Sequence, residues 1–246
     1  MTDIQHIDGP DGRRLAYAKT DGTGPCTVFL PGYKSDMDGT KAVHLEAWAR
    51  DRGRAFLRLD YSGHGRSGGR FEDGAIGDWV ADAEAVITAA TEGPVVLVGS
   101  SMGGWVGCLL TRRLSRVAGF VGIAAAPDFT EDSFWAGFSE VQRRQVMEDG
   151  HVALPSDYGE PYIVTRRLIE DGRTHLVMRT PLPMPFPVRL LQGTEDEAVA
   201  GDVPLRLLDH IAGDDVRLTL VKGADHRFST PECLALVERA VEEVGG

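Results

Sequence analysis

The sequence predicts an α/β protein, a mostly parallel, doubly wound sheet carrying a small helical cap. Short apolar runs recur along the 246 residues and alternate with amphipathic runs of helical length, which is how parallel strands and their crossover helices read. One of those runs, Val95-Val96-Leu97-Val98, continues through Gly99-Ser100-Ser101-Met102-Gly103 into Trp105-Val106-Gly107-Cys108-Leu109-Leu110, a buried strand turning sharply into a helix. From residue 128 to 180 the buried runs stop, and charged amphipathic pieces replace them. The predicted organisation is a core of residues 1–127 and 181–246 with a helical cap inserted at 128–180.

The elements follow in order. Residues 4–7 and 13–18 read as a β-hairpin around the two-residue turn signal Asp11-Gly12. Residues 20–25 read as a loop, and Cys26-Thr27-Val28-Phe29-Leu30 as a buried strand ending in Pro31-Gly32-Tyr33. Residues 40–52 put Ala42, Leu45, Trp48 and Ala49 at helical core spacing. The strand 55–59 runs into a glycine-dense loop, 60–69. That loop lacks the G-x-x-x-x-G-K-[ST] pattern and no helix follows at once, so it reads as a structural turn lining the site rather than a phosphate cradle. Residues 76–91 form an amphipathic helix with Ile76, Val80, Ala83 and Ile87 on one face, broken by Gly93-Pro94. Residues 119–126 are a further buried strand.

In the cap, residues 141–148 and 162–171 read as helical pieces, and no buried strand is expected. Phe129, Phe134, Trp135, Phe138, Tyr158 and Tyr162 are candidates for a pocket wall, with most expected to pack cap onto core. A proline-rich return at 181–187 leads to a strand at 188–192, a helix near 203–212, a last strand at 216–221 and a closing helix at 231–244.

A hydrophobic content of 42% supports a sizeable core in one unit. The net charge of −11 argues against nucleic-acid or anionic-membrane partners, which call for basic stripes. Cys26, Cys108 and Cys233 sit among apolar residues without a C-x-x-C or metal-ligand spacing. They read as buried reduced thiols. No metal or cofactor is expected. The first residues are neither a signal peptide nor an Arg-rich transit sequence, and no apolar run is long enough to span a bilayer, so the expected location is cytoplasmic.

The chemistry concentrates at the carboxyl ends of the strands, where ligands bind in sheets of this kind. In G-x-S-x-G the glycines give a strained serine room, and the following helix points its first amides at the place where an oxyanion would form. Ser101 is the candidate nucleophile and Met102 N–H one oxyanion donor. Ser100 occupies the x position and reads as structural. Tyr33 N–H, after Pro31-Gly32, is the second donor. Asp196 follows the strand at 188–192 and Gly193. His226 follows the last strand. The order Ser, Asp, His matches one of the known triad arrangements, in which imidazole moves the proton and a carboxylate orients the ring. Glu195 and Glu197 flank Asp196 as rival acids, and Asp225 neighbours His226. His64 precedes the nucleophile and is disfavoured as the base.

Pro31-Gly32, 60–67, Gly99 to Trp105, 191–196 and Asp225-His226 together resemble the α/β-hydrolase superfamily across nearly the whole chain. More narrowly, 31–42 and 99–105 are similar to the mitochondrial palmitoyl-protein thioesterase and acyl-glucuronide esterase group and its bacterial relatives. The resemblance implies the α/β-hydrolase fold and a cofactor-independent serine esterase or thioesterase with the triad Ser101, Asp196 and His226, acting on a small-molecule ester or thioester. Peptidase, C–C hydrolase, acyltransferase and non-catalytic receptor readings stay open on the same scaffold. Gln192 stands where many relatives have histidine, a difference expected to touch loop packing. Arg143, Arg144, Arg166 and Arg167 are expected mainly in surface pairs with Glu140, Glu148, Glu170 and Asp171. Short to medium acyl groups are expected over long ones.

Overall fold

Alternation of burial along each central strand sets the layers. The computed structural model describes residues 2–155 and 161–246. Its strands are β1 (Ile4–Asp8), β2 (Arg14–Thr20), β3 (Thr23–Leu30), β4 (Arg54–Leu59), β5 (Val95–Ser100), β6 (Val117–Ile123), β7 (His151–Leu154), β8 (Tyr162–Thr165), β9 (Leu182–Pro183), β10 (Val188–Gly193), β11 (Ile211–Ala212) and β12 (Val216–Val221). The helices are α1 (Thr40–Asp51), α2 (Ile76–Ala90), α3 (Met102–Leu110), α4 (Glu140–Glu148), α5 (Arg166–Thr174), α6 (Val203–His210) and α7 (Pro231–Gly245). An eight-stranded sheet runs in the order β1-β2-β4-β3-β5-β6-β10-β12, antiparallel at β1–β2 and β2–β4 and parallel elsewhere. This is the α/β-hydrolase fold that the sequence predicts.

Every residue of β5 and β10 is buried, as strands covered on both faces must be. Val95 and Leu97 pack with α2 and α3 residues such as Trp79, Val80 and Trp105. Val96 and Val98 pack on the opposite face with Leu45 and Trp48 of α1 and Val237 and Val241 of α7. The two cores together hold the carboxyl ends of β3, β5, β10 and β12 in one row, so the loops leaving them converge.

Three local expectations are corrected. Asp11-Gly12 is not a two-residue turn. Pro10–Gly12 forms a 3₁₀ turn, closed by Gly9 N–H donating to the Arg13 carbonyl at 2.7 Å, because Pro10 has no N–H to place in a ladder. β3 starts at Thr23 within the expected loop, since Thr23 pairs with Arg54 across a register shift. The segment between β6 and β10 does contain strands. β7 and β8 pair antiparallel, and Tyr162–Thr165 is strand where helix was expected, as its aromatic and β-branched residues favour. The Thr165 side chain then caps α5 by accepting from Leu168 N–H at 3.1 Å. The same segment carries a π-helical turn over Thr130–Trp135 and, as expected, α4.

Candidate active site

The turn from β5 into α3 places Ser101 in a backbone conformation that a serine rarely adopts, φ 54° and ψ −119°. The surrounding backbone forces it. A Cβ on Gly99 would lie 2.3 Å from the Gly103 carbonyl oxygen, and one on Gly103 would lie 2.0 Å from that of Leu30. Only glycines let β3, β5 and α3 approach so closely. Ser101 N–H is anchored to the Ile123 carbonyl at 2.9 Å. Ser100 is buried in the wall of the same cavity, while the hydrogen bond to His226 belongs to Ser101.

His226 Nε2 lies 3.1 Å from Ser101 Oγ, and its Nδ1 lies 2.8 Å from Asp196 Oδ2 and 3.0 Å from Oδ1. With a carboxylate facing Nδ1, the neutral ring carries its proton there and turns its Nε2 lone pair to the serine hydroxyl. The Asp196 side chain is only 1% exposed. It accepts from Ala198 N–H and Val199 N–H, both at 2.9 Å, and from the Gln192 amide at 2.7 Å. Burial pushes this carboxyl up, but the hydrogen bond and charge of His226, with Val199 N–H and Gln192, outweigh it and hold the carboxyl below its ordinary value. Glu195 and Glu197 are exposed on the cavity rim. The Asp225 carboxylate accepts from Phe228 N–H at 3.1 Å, which shapes the loop. His64 is buried, with Nδ1 3.1 Å from the Ser62 carbonyl, and burial pushes its imidazole down to about 4.

Two backbone N–H groups are candidates for the oxyanion. Met102 opens α3, whose first amides have no intrahelical acceptor. Gly32 lies against the serine, so close that a Cβ there would be 3.3 Å from Ser101 Cβ. Tyr33, next in sequence, lines the same cavity as Ser101 and Met102. The loop is held by the Tyr61 hydroxyl donating to the Pro31 carbonyl at 3.2 Å and by the Tyr33 ring, edge-on to Phe71 at 4.8 Å and Phe129 at 5.6 Å.

The cavity has a volume of about 1030 Å³ and a lining that mixes aromatic and charged residues. Tyr33, Phe129, Phe134 and Tyr162 form an aromatic cluster, with ring centroids 5.1 to 5.9 Å apart in the contacting pairs. Lys34, Lys41, Glu195, Glu197, Asp225 and Arg227 line the cavity as well, with the Lys34 ammonium 5.3 Å from the centre of the Tyr162 ring. Of the other aromatic candidates, Trp135 is covered by the guanidinium of Arg173, 4.4 Å from its ring, and Phe138 is buried in the core. Tyr158 lies outside the described residues.

None of the four cap arginines lines the cavity. Arg166 meets Glu170 at 2.6 Å, Arg167 meets Asp78 of α2 at 2.5 Å, Arg143 donates to the Trp135 carbonyl, and Arg144 is exposed. Two residues of the site escaped the sequence reading. Gln192 binds the acid directly rather than merely packing the loop, and Lys41 lines the cavity from the first turn of α1. The three cysteines are free and buried. Burial pushes the thiols of Cys26 and Cys108 up to about 11 and 12, which leaves them poor nucleophiles. Among the described residues no group of three or more His, Cys, Asp or Glu could hold a metal, and no helix is long and apolar enough to cross a membrane.

The sequence profile of the alpha/beta hydrolase family matches residues 27–244. Mitochondrial palmitoyl-protein thioesterase ABHD10 of Bos taurus is 34% identical over 246 residues, covering 99% of this chain and 80% of that protein. A crystal structure from Agrobacterium vitis S4 superposes with a TM-score of 0.96 at 38% identity, covering 100% of both chains. Alpha/beta hydrolase domain-containing protein 10 from mouse superposes with a TM-score of 0.90 at 32% identity, covering 98% of this chain and 97% of that one.

Proposed function

The chain belongs to the alpha/beta hydrolase family, and we propose that it is a serine-dependent hydrolase of ester and thioester bonds working through an acyl-enzyme. The observation that carries this reading is the Ser101 hydroxyl, held on a left-handed backbone 3.1 Å from His226 Nε2, with Asp196 behind the ring. Ser101 Oγ attacks the acyl carbonyl carbon while His226 Nε2 takes the hydroxyl proton. Asp196 keeps the ring oriented and stabilises the imidazolium. The carbonyl oxygen becomes an oxyanion held by Tyr33 N–H and Met102 N–H. As the carbon–oxygen or carbon–sulfur bond breaks, His226 returns its proton to the leaving group. A water then gives its proton to His226 and attacks the acyl-serine, and collapse releases the acid and restores the hydroxyl.

The relatives named palmitoyl-protein thioesterase support acyl chemistry on this site. The lining supports an orientation, with the acyl group on the aromatic cluster and the leaving group beside His226, which must protonate it. Short to medium acyl groups suit a lining in which Lys34 and other charged residues interrupt the apolar surface that a long chain needs. A p-nitrophenyl ester series from acetate to palmitate tests this, and a kcat/KM that keeps rising to palmitate would count against it.

The decisive test of the reaction compares wild type with Ser101→Ala. A fluorophosphonate probe should label the wild type at Ser101 alone. Hydrolysis of p-nitrophenyl butyrate should fall by about 10⁴-fold or more in the variant. Equal activity of the two chains would sink the proposal.

A further inference from the structure

His226 is carried on an edge. β12, the strand before it, ends the sheet and among the described residues pairs only with β10, and its outward residues are exposed. The loop that presents the imidazole therefore needs fastening from elsewhere. On the acid side it is pressed against β10, where a Cβ on Gly193 would lie 2.1 Å from the Ala224 carbonyl oxygen, and Glu195 N–H donates to that carbonyl at 3.0 Å. Beyond the histidine, Phe228 takes a left-handed conformation, φ 49°, with its ring fully buried among the α1 and α7 residues. The residue between them, Arg227, is held by a charge. The Lys41 ammonium donates to its backbone carbonyl.

Lys41 stands in the first turn of α1, eight positions after Tyr33. The helix that follows the oxyanion loop thus reaches across to the loop carrying the base. Further along α1, His44 meets Glu238 at 2.6 Å, and Arg52, just past its end, meets Glu242 at 3.2 Å, both acids on α7. These fasten helix to helix, whereas the Lys41 contact falls on the residue next to His226. Among the described residues the ammonium has no carboxylate within salt-bridge distance, although it lines the cavity. Burial pushes it down to about 8, against the pull of Asp225 and Asp196, so it stays protonated at neutral pH and its hydrogen bond is charge-assisted.

We propose that Lys41 is a positioning residue for the base. Its ammonium clasps the Arg227 carbonyl and sets the distance between His226 and the oxyanion loop. The inference rests on the serine-hydrolase reading. A small displacement of a general base from its partner costs rate rather than ground-state affinity, so the clasp acts on kcat.

The test uses the full chain as wild type, Lys41→Met and Lys41→Arg. Methionine keeps most of the apolar stem and removes the charge and donors, while arginine keeps both. Steady-state hydrolysis of p-nitrophenyl butyrate and the rate of fluorophosphonate labelling at Ser101 are read well below each chain's melting transition. Lys41→Met should lower kcat and the labelling rate by on the order of tenfold to a hundredfold, with KM little changed and most of the rate recovered in Lys41→Arg. A kcat equal to wild type in a folded Lys41→Met chain overturns the proposal. So does a loss confined to KM, which would make Lys41 a substrate anchor. If Lys41→Met does not fold, Lys41→Gln takes its place in the same comparison. A wild type that the probe does not label overturns the hydrolase reading as well. A labelled wild type with an equally labelled variant overturns the role of Lys41 alone.

Discussion

Ser101 is held from beneath by backbone, whereas the segment between β6 and β10, besides the apolar side chains it adds to the core, is tied down by polar side chains. Around the serine, glycines let main chain approach main chain, and β5 is buried throughout. The segment is fastened at separate points. Buried Asp128 accepts from Val177 N–H at 2.8 Å, Met178 N–H at 3.0 Å and Arg179 at 2.7 Å. Asp171 accepts from Gly77 N–H of α2 at 2.8 Å, and the Trp105 indole of α3 donates to the His175 carbonyl at 3.1 Å. Packed backbone tolerates no change of shape. Point fastenings can be altered one at a time, which suits a region that brings aromatic residues to the cavity.

The largest expected effect lies on the first side of this contrast. Asp196→Asn should leave the fold intact yet lower kcat by about 10⁴-fold, because the amide favours the wrong imidazole tautomer. If Glu197→Gln does comparable damage and Asp196→Asn does not, the acid has been misassigned.

Next comes a pair of identical substitutions. Gly103→Ala forces a Cβ to within 2.0 Å of the Leu30 carbonyl oxygen, while Gly137, within the segment, has open space around the same position. Urea unfolding should show a loss of about 3 kcal/mol or more for the first and a change within about 0.5 kcal/mol for the second. Similar losses would erase the distinction between the two regions.

The smallest effect concerns pH. The Asp171 carboxylate, accepting a hydrogen bond from His175, raises the His175 pKa above its ordinary 6.5. Burial pushes Asp171 up, but His175, Gly77 N–H and Arg167 outweigh it and hold Asp171 below 3.8. The histidine's contribution is complete below pH 6.5 and is lost as pH rises through its raised value. The carboxylate's is complete above pH 3.8 and is lost as pH falls through its lowered value. The fastening is therefore strongest between those limits. Amide exchange over 166–178, corrected for intrinsic rates, should show easier opening at pH 8.5 than at pH 5.5, by less than about 1 kcal/mol. His175→Gln should abolish the difference.

What could be read from the sequence follows the same division. The Ser101 turn was legible because strand, glycines and helix are contiguous, and Asp196 and His226 because each follows a strand directly. The geometry brings all three together. Gln192 as a partner of the acid was not legible, since a strand-end glutamine does not advertise where its amide will turn. Lys41 was hidden because a lysine in the first turn of a helix reads as solvated, and its partner lies 186 residues away. The β7–β8 pair was missed for a similar reason. Four-residue strands carry little periodicity, and their pairing is a tertiary fact.

The left-handed backbone at Ser101 also bears on how this chain could be engineered. Holding a serine there costs about 1–3 kcal/mol that a glycine would not incur. A campaign that ranks variants by heat resistance alone would enrich Ser101→Gly and discard the hydroxyl, whereas one that also demands turnover would have to recruit its gains from positions outside the turn.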